Sequence, residues 1–365
     1  MAEIKIVTVV GARPQFIKAA AVSRVLREDY TEILVHTGQH YHVNMSDIFF
    51  EELDIPRPDY YLGVGSGSHA KQTADILVKT EEILEKEKPD YLLVYGDTNS
   101  TFAAALAASK MLIPVIHIEA GLRSFNMAMP EEQNRILTDH ISSVLFCPTD
   151  TAVENLKKED LTSNVYQVGD VMCDAVRHYS QKMECMLKES FMRELRFLYK
   201  EQDVADRWYL VTMHRAENTQ NIETIQEVLS ALEELDAQVI FPVHPRIRKY
   251  IDILQQKRVY KNICFVEPLG YLAMLYFTKG AVKVITDSGG LQKEAYMLGT
   301  NVVTLRDQTE WVETLKGNHN VLCNIIKADI LKAIYEADIQ DAFDDNIFGD
   351  GKAAKKICDI LKSLS

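Results

Sequence analysis

The chain has 365 residues, 47% of them apolar and 25% charged, with 16 Gly and 10 Pro, which excludes a disordered or collagen-like protein and leaves room for about two globular domains. Asp and Glu number 53 against 40 Lys and Arg, a formal charge of −13, so nucleic acid and anionic membrane are disfavoured as partners. A small anionic substrate stays open, because a few arginines and helix N-termini in a cleft create a local positive field against the global sign.

In chain order, the opening MAEIKIVTVVGARPQ has an apolar stretch too short for a signal segment or a membrane span, and reads as a buried first strand. Further β-branched runs lie at 33–36, 91–95, 115–118, 144–147 and 165–168, separated by segments of helical periodicity. Their continuous hydrophobicity predicts strands covered on both faces, which is the pattern of a parallel sheet between helices. A polar, Met- and Glu-rich stretch from Cys173 to Asp206 carries no strand signal. The alternation then restarts with runs at 208–212, 238–243, 263–266, 282–286 and 301–305. Two α/β domains facing a cleft are expected, 1–172 and 173–345, followed by a closing segment, 346–365, that ends in an amphipathic helix. Six cysteines are scattered without a CxxC pair or zinc spacing, which predicts a reducing cytoplasm and no metal site.

Ligands of open α/β sheets bind beyond the carboxyl ends of the strands, so the residues after each run are the candidates. Thr286-Asp-Ser288-Gly289-Gly290-Leu-Gln-Lys-Glu294 reads as strand, glycine turn and helix. Such a junction aims free N–H groups at a phosphate, with Glu294 placed for a sugar hydroxyl; the alternative is a plain helix-opening turn. Gly11-Ala-Arg13-Pro14, with Lys18 beyond, is a second such turn carrying cations. It is not GxGxxG, so no dinucleotide cofactor is expected. Asp97, Glu119 and Glu131 follow a strand, a strand and a helix start; such carboxylates either move protons or serve as caps and ion-pair partners. His214 with Arg215, and His244 before Pro245, end later strands and either neutralise phosphate or are structural. His117 lies inside an apolar run and reads as core, and Asp139 and His140 as structural. Gln39-His40 and Lys71-Gln72 are polar clusters in loop-like contexts.

Together GARPQFIKAA, TGQH, YGDTNST, HIEAGLRS, MPEEQNR, FPVHP, TDSGGLQKEA and GDGKA occur in the order and spacing of the non-hydrolysing UDP-N-acetylglucosamine 2-epimerases, which the chain resembles from residue 4 to about 360. The resemblance implies the glycosyltransferase-B architecture: two Rossmann-like doubly wound domains facing a deep cleft, with the C-terminal helix, 346–365, returning to the first. It implies that Arg13, His214, Ser288, Gly289, Gly290 and Glu294 hold UDP, that Lys18, Asp97, Glu119, Glu131 and His214 are catalytic, and that Gln39, His40, Gln72, Arg215 and His244 match a second sugar-nucleotide site. It also implies a homodimer. Gln15 stands where many members have Glu, and the loop SFNMAM between Arg123 and Pro130 looks more like the branch acting on UDP-2,3-diacetamido-glucuronic acid. A glycosyltransferase of the same architecture, with an acceptor in place of returning UDP, is the reading from another class.

The chemistry fits these groups. No carbonyl adjoins C2 of an N-acetyl sugar, so its proton is not acidic enough for direct removal. The expected route eliminates UDP from C1 to leave a 2-acetamidoglucal, then adds UDP back after a proton reaches the other face of C2. That interconverts UDP-GlcNAc and UDP-ManNAc without a cofactor.

Overall fold

The structure is a computed structural model that describes residues 4–39, 50, 52–215, 217–337 and 339–364. The chain divides into two compact units. Unit 1 is Met1–Arg177 with Asn346–Ser365, and unit 2 is His178–Asp345.

Unit 1 is built on a seven-stranded parallel sheet in the order β3-β2-β1-β4-β5-β6-β7. Its strands are β1 (Lys5–Val10), β2 (Thr31–His36), β3 (Tyr60–Tyr61), β4 (Tyr91–Tyr95), β5 (Val115–Ile118), β6 (Val144–Cys147) and β7 (Val165–Gln167). The connecting helices are α1 (Arg13–Leu26), α2 (His69–Glu87), α3 (Asn99–Lys110), α4 (Pro130–Ile141) and α5 (Asp150–Lys158), leading to α6 (Val171–Glu184). The central strands β1, β4, β5 and β6 are buried on both faces, as their unbroken apolar runs require, whereas β3 and β7 at the two edges are only partly covered. Val7, Val9, Leu92 and Val94 pack on the small residues Ala103, Ala104 and Ala107 of α3, which let that helix lie close to the sheet.

Unit 2 repeats the plan with six parallel strands in the order β10-β9-β8-β11-β12-β13. These are β8 (Trp208–Thr212), β9 (Gln238–Pro242), β10 (Ile263–Val266), β11 (Val284–Thr286), β12 (Val302–Thr304) and β13 (Asn320–Leu322). Its helices are α7 (Lys188–Glu194), α8 (Ile222–Leu232), α9 (Pro245–Lys257), α10 (Tyr271–Lys279), α11 (Gly289–Met297) and α12 (Lys327–Tyr335), with a 3₁₀ segment at Val312–Asn318. One core joins Val211, Phe241, Phe265, Ile285 and Val303 of the sheet to Val228, Leu229 and Ile251 of its helices.

The division between units falls inside α6, whereas the sequence reading placed it at 172/173. The first turns of α6 grip the last helix, α13 (Ala353–Leu364): the Asp174 carboxylate accepts from the Ala353 and Ala354 amides at 3.0 and 2.8 Å, satisfying that helix's unpaired N-terminal donors. Farther along α6, Tyr179 meets Tyr271 edge to face at 5.5 Å, within unit 2. Two strands were not anticipated. β3 has only two residues, and β13 opens on the polar Asn320, so neither shows an apolar run.

Both sheets reverse their strand order once, between β1 and β4 in unit 1 and between β8 and β11 in unit 2. In doubly wound sheets that switch point is where the loops part and a ligand enters.

Candidate functional site

At the unit 1 switch point the chain leaves β1 through Gly11–Ala12 and starts α1 with Pro14 in its first turn, a position where the missing N–H costs nothing. The buried Gln15 side chain ties the two central strands together. Its Oε1 accepts from the Gly11 and Ala12 amides at 2.8 and 3.1 Å, and its Nε2 donates to the Tyr95 carbonyl at the end of β4 at 2.8 Å. Arg13 is half-buried on the first helical residue. Lys18, farther along α1, forms a buried ion pair with Glu119 at 2.5 Å. Gly96 lies against that pair: a Cβ there would sit 3.3 Å from both Glu119 Oε1 and Lys18 Nζ, and its φ of +61° also favours glycine.

Asp97, the next residue, receives Arg135 Nη2 on Oδ2 at 2.6 Å, and its carbonyl accepts from Asn134 Nδ2 at 2.9 Å. Arg135 also bonds Glu132 at 2.8 Å. Glu132 is buried, and the loop after Arg123 closes on it: Ser124 N and Phe125 N donate to its two oxygens at 2.8 Å each. Burial pushes the Glu132 carboxyl up, but these amides and Arg135 outweigh it and hold it below the usual range. Glu131 is half-buried in the first turn of α4 and makes no ion pair or hydrogen bond among the described residues. Of two adjacent acids in one motif, Glu132 is therefore the anchored one and Glu131 is not anchored.

His117 was expected to be plain core. It is buried on β5, yet both ring nitrogens are engaged: Nε2 with the Gly96 carbonyl at 2.7 Å and Nδ1 with Asp139 Oδ1 at 2.8 Å. Asp139 in turn accepts from Arg123 Nη1 at 2.7 Å and from the Gly121 amide at 3.1 Å.

The unit 2 switch point is organised around Asp287, which follows β11 and is fully buried. It accepts from the His214 and Arg215 amides, at 3.1 and 2.9 Å, and from Asn218 Nδ2 at 3.2 Å. His214 Nδ1 also lies 3.1 Å from its Oδ1, while the His214 side chain is 42% exposed, so the dyad fixes the ring and presents its other edge outward. Burial raises the Asp287 carboxyl, but His214 and the two amides prevail and lower it. Ser288 caps α11, its Oγ accepting from Leu291 N at 3.4 Å. A Cβ on Gly289 would run into the Glu310 carboxylate, whereas Gly290 faces open space. Glu310 is paired with Arg306 at 2.9 Å, and the Lys293 ammonium stands 3.5 Å over the Trp311 ring. Glu294 is buried within α11. An open helix N-terminus beside an oriented histidine is suited to a phosphate. Among the described residues no group of three His, Cys, Asp or Glu is placed to hold a metal ion, and no helix is long and apolar enough to cross a membrane.

The sequence profile of the family described as UDP-N-acetylglucosamine 2-epimerase matches residues 24–362. The chain is 48% identical to the UDP-N-acetylglucosamine 2-epimerase homolog of Methanococcus maripaludis, over 99% of this chain and 100% of that one. The chain belongs to the UDP-N-acetylglucosamine 2-epimerase family. It is also 44% identical to the UDP-2,3-diacetamido-2,3-dideoxy-D-glucuronate 2-epimerase of Pseudomonas aeruginosa, over 99% of this chain and 100% of that one. Among solved structures, Methanocaldococcus jannaschii UDP-GlcNAc 2-epimerase in complex with UDP-GlcNAc and UDP superposes with a TM-score of 0.90 at 39% identity, covering 99% of this chain and 100% of that one.

In this 2-epimerase family member, the remaining residues singled out from sequence fall into two groups. Gln39 and Gln72 meet in unit 1: Gln72 Nε2 donates to the Gln39 carbonyl at 3.3 Å, and its Oε1 accepts from Asn99 at 2.8 Å. Gln39 Oε1 accepts from Ser100 N at 3.0 Å. Both amides thus gather at the start of α3. His40 lies outside the described residues. Arg215 and His244 belong to unit 2. Arg215 Nε donates to the Asp287 carbonyl at 3.0 Å, and His244 caps α9 with its ring centroid 5.8 Å from that of His214. Sequence reasoning gave no role to Glu132, Arg135 or Asp287, and read Asp139 as structural. Asp287 had a usable signal, standing directly after a strand; the others carry none, since Arg135 and Asp139 find Asp97 and His117 38 and 22 residues away, and Glu132 is set apart from Glu131 only by the loop that closes on it.

Proposed function

We propose that the protein is a non-hydrolysing 2-epimerase that interconverts UDP-GlcNAc and UDP-ManNAc. The C1–O bond breaks with its electron pair leaving on UDP while a carboxylate takes the C2 proton, and a 2-acetamidoglucal with its C1=C2 double bond remains. Proton return to the opposite face of C2 and attack by UDP on C1 complete the inversion. Arg13, His214, Ser288, Gly289 and Gly290 stabilise the negative charge arriving on the diphosphate, and Glu294 holds the ribose. Asp97, Glu119 and Glu131 carry protons, with Lys18 on Glu119. The observation that supports this most is the division of labour at the two strand-order reversals: carboxylates with bonded cations, Lys18 and Arg135, at one, and a glycine-opened helix N-terminus with an oriented His214 at the other.

A second reading, a 2-epimerase of UDP-2,3-diacetamido-2,3-dideoxy-glucuronate, is favoured by the 44% identity to the Pseudomonas aeruginosa relative. The elimination is the same and only the substituents at C3 and C5 differ. Incubation with each sugar nucleotide in D₂O, followed by NMR, decides. Deuterium at C2 and a C2 epimer from UDP-GlcNAc support the first reading; the same from the diacetamido-uronate alone supports the second. Reaction only on addition of an acceptor indicates a glycosyltransferase, and no exchange with either sugar contradicts both epimerase readings.

A further inference from the structure

The proton-transfer carboxylates of unit 1 sit on backbone that needs holding. Glu119 has a φ of +72°, which a side chain other than glycine adopts only where its surroundings over-determine it. Asp97 follows Gly96, whose φ is also positive. One buried pair reaches both. His117 Nε2 meets the Gly96 carbonyl, an acceptor only, so this nitrogen donates and fixes the Gly96–Asp97 peptide. His117 Nδ1 meets Asp139, and Asp139 also binds the Gly121 amide and Arg123. Glu119 therefore stands between two residues, His117 and Gly121, that share one carboxylate. Burial raises the Asp139 carboxyl, but His117 and Arg123 outweigh it and lower it below the usual range. Arg123 is itself held by Glu159, which caps the C-terminus of α5, at 2.7 Å, so a chain of contacts runs from that cap to the Asp97 turn.

We propose that His117, locked by Asp139, is a positioning residue for proton transfer: it sets the peptide that aims Asp97 and, through Asp139, the loop conformation that aims Glu119. The ring touches no substrate and acts through these two carboxylates. This rests on the proton-transfer reading above, and the wild-type exchange of C2–H in D₂O serves as its independent control.

The test compares His117→Gln with His117→Asn. A glutamine amide places its donor near the former Nε2 and keeps the Gly96 contact, while asparagine reaches only toward Asp139. Positioning predicts that His117→Asn loses about 100-fold in C2 exchange at saturating sugar nucleotide, the scale of an ångström's misplacement. His117→Gln recovers about tenfold of that loss. UDP dissociation constants of both variants stay within about threefold of wild type, because the UDP residues other than Arg13 sit in the other unit. Equal exchange in both variants and wild type, or asparagine performing as well as glutamine, overturns the proposal. A wild-type protein that itself exchanges no C2–H defeats the functional reading instead. The wild type also gives a test free of folding failure: ¹⁵N-histidine labelling should show a proton on His117 Nε2, and a bare Nε2 would contradict the proposal.

Discussion

The two strand-order reversals share a topology and differ in how they manage charge. At β1/β4 most polar groups are closed by another: Lys18 on Glu119, Arg135 on Asp97 and on Glu132, and Gln15 across both strand ends. At β8/β11 a single buried acid, Asp287, gathers amides and the His214 ring, and the helix beyond it opens on glycine with space beside Gly290. The first region holds carboxylates in fixed geometry, and on the proposed function the second receives the diphosphate. One fold plan thus supports two chemistries through the few residues placed after its strands, since function resides in the site rather than the fold.

The largest effect that could break this contrast lies in turnover. Asp97→Asn, Glu119→Gln and Glu131→Gln should each lower the rate at saturation by about 10²–10⁴-fold, with UDP affinity by calorimetry changed little; three variants with wild-type rates would remove the acid–base roles. Gln15→Glu tests the closed network by stability. A carboxylate still accepts from Gly11 and Ala12 but faces the Tyr95 carbonyl with no hydrogen to donate. The expected loss is about 1–3 kcal/mol in urea unfolding. On the anion side, Gly289→Ala displaces the Glu310 carboxylate and should weaken UDP binding by about tenfold, or about 1.4 kcal/mol, while the carboxylate region keeps its stability. Phe125, 75% exposed at a φ of +59°, offers the smallest effect. Phe125→Gly removes left-handed strain but adds unfolded-state entropy, for a net gain of roughly 0.5–1 kcal/mol in the same measurement.

Acid titration distinguishes the regions less than it unites them. Glu132, Asp139 and Asp287 all have folded-state values below their unfolded ones. Each stabilises the fold fully above the ordinary carboxylate value, about 4, and the contribution is lost as pH falls through the depressed native values. The urea midpoint should therefore hold down to about pH 5 and fall below about pH 4. A midpoint that rises below pH 4 would contradict these directions.

Much of the frame was legible in the sequence. Unbroken apolar runs marked both parallel sheets, and Gly11–Lys18, Gly96–Asp97, His214 and Ser288–Gly290 stand where strands end, so position alone nominated them. What could not be read were the partners. Lys18 and Glu119 are 101 residues apart, and His214 and Asp287 are 73 apart, distances over which no periodicity operates. His117 shows the same limit from the other side: its neighbours in sequence are core residues, and only the fold brings Gly96 and Asp139 to its two nitrogens. Glu131 and Glu132 were indistinguishable until the loop at Ser124–Phe125 closed on one of them.

The central claim is that UDP leaves the anomeric carbon and returns. It is tested most directly by placing ¹⁸O in the oxygen bridging C1 and the β-phosphorus and following it by ³¹P NMR while C2 inverts. The account predicts that the label scrambles into the non-bridging β-phosphate positions at a rate comparable to inversion. Inversion of C2 with the label still entirely in the bridge would contradict it.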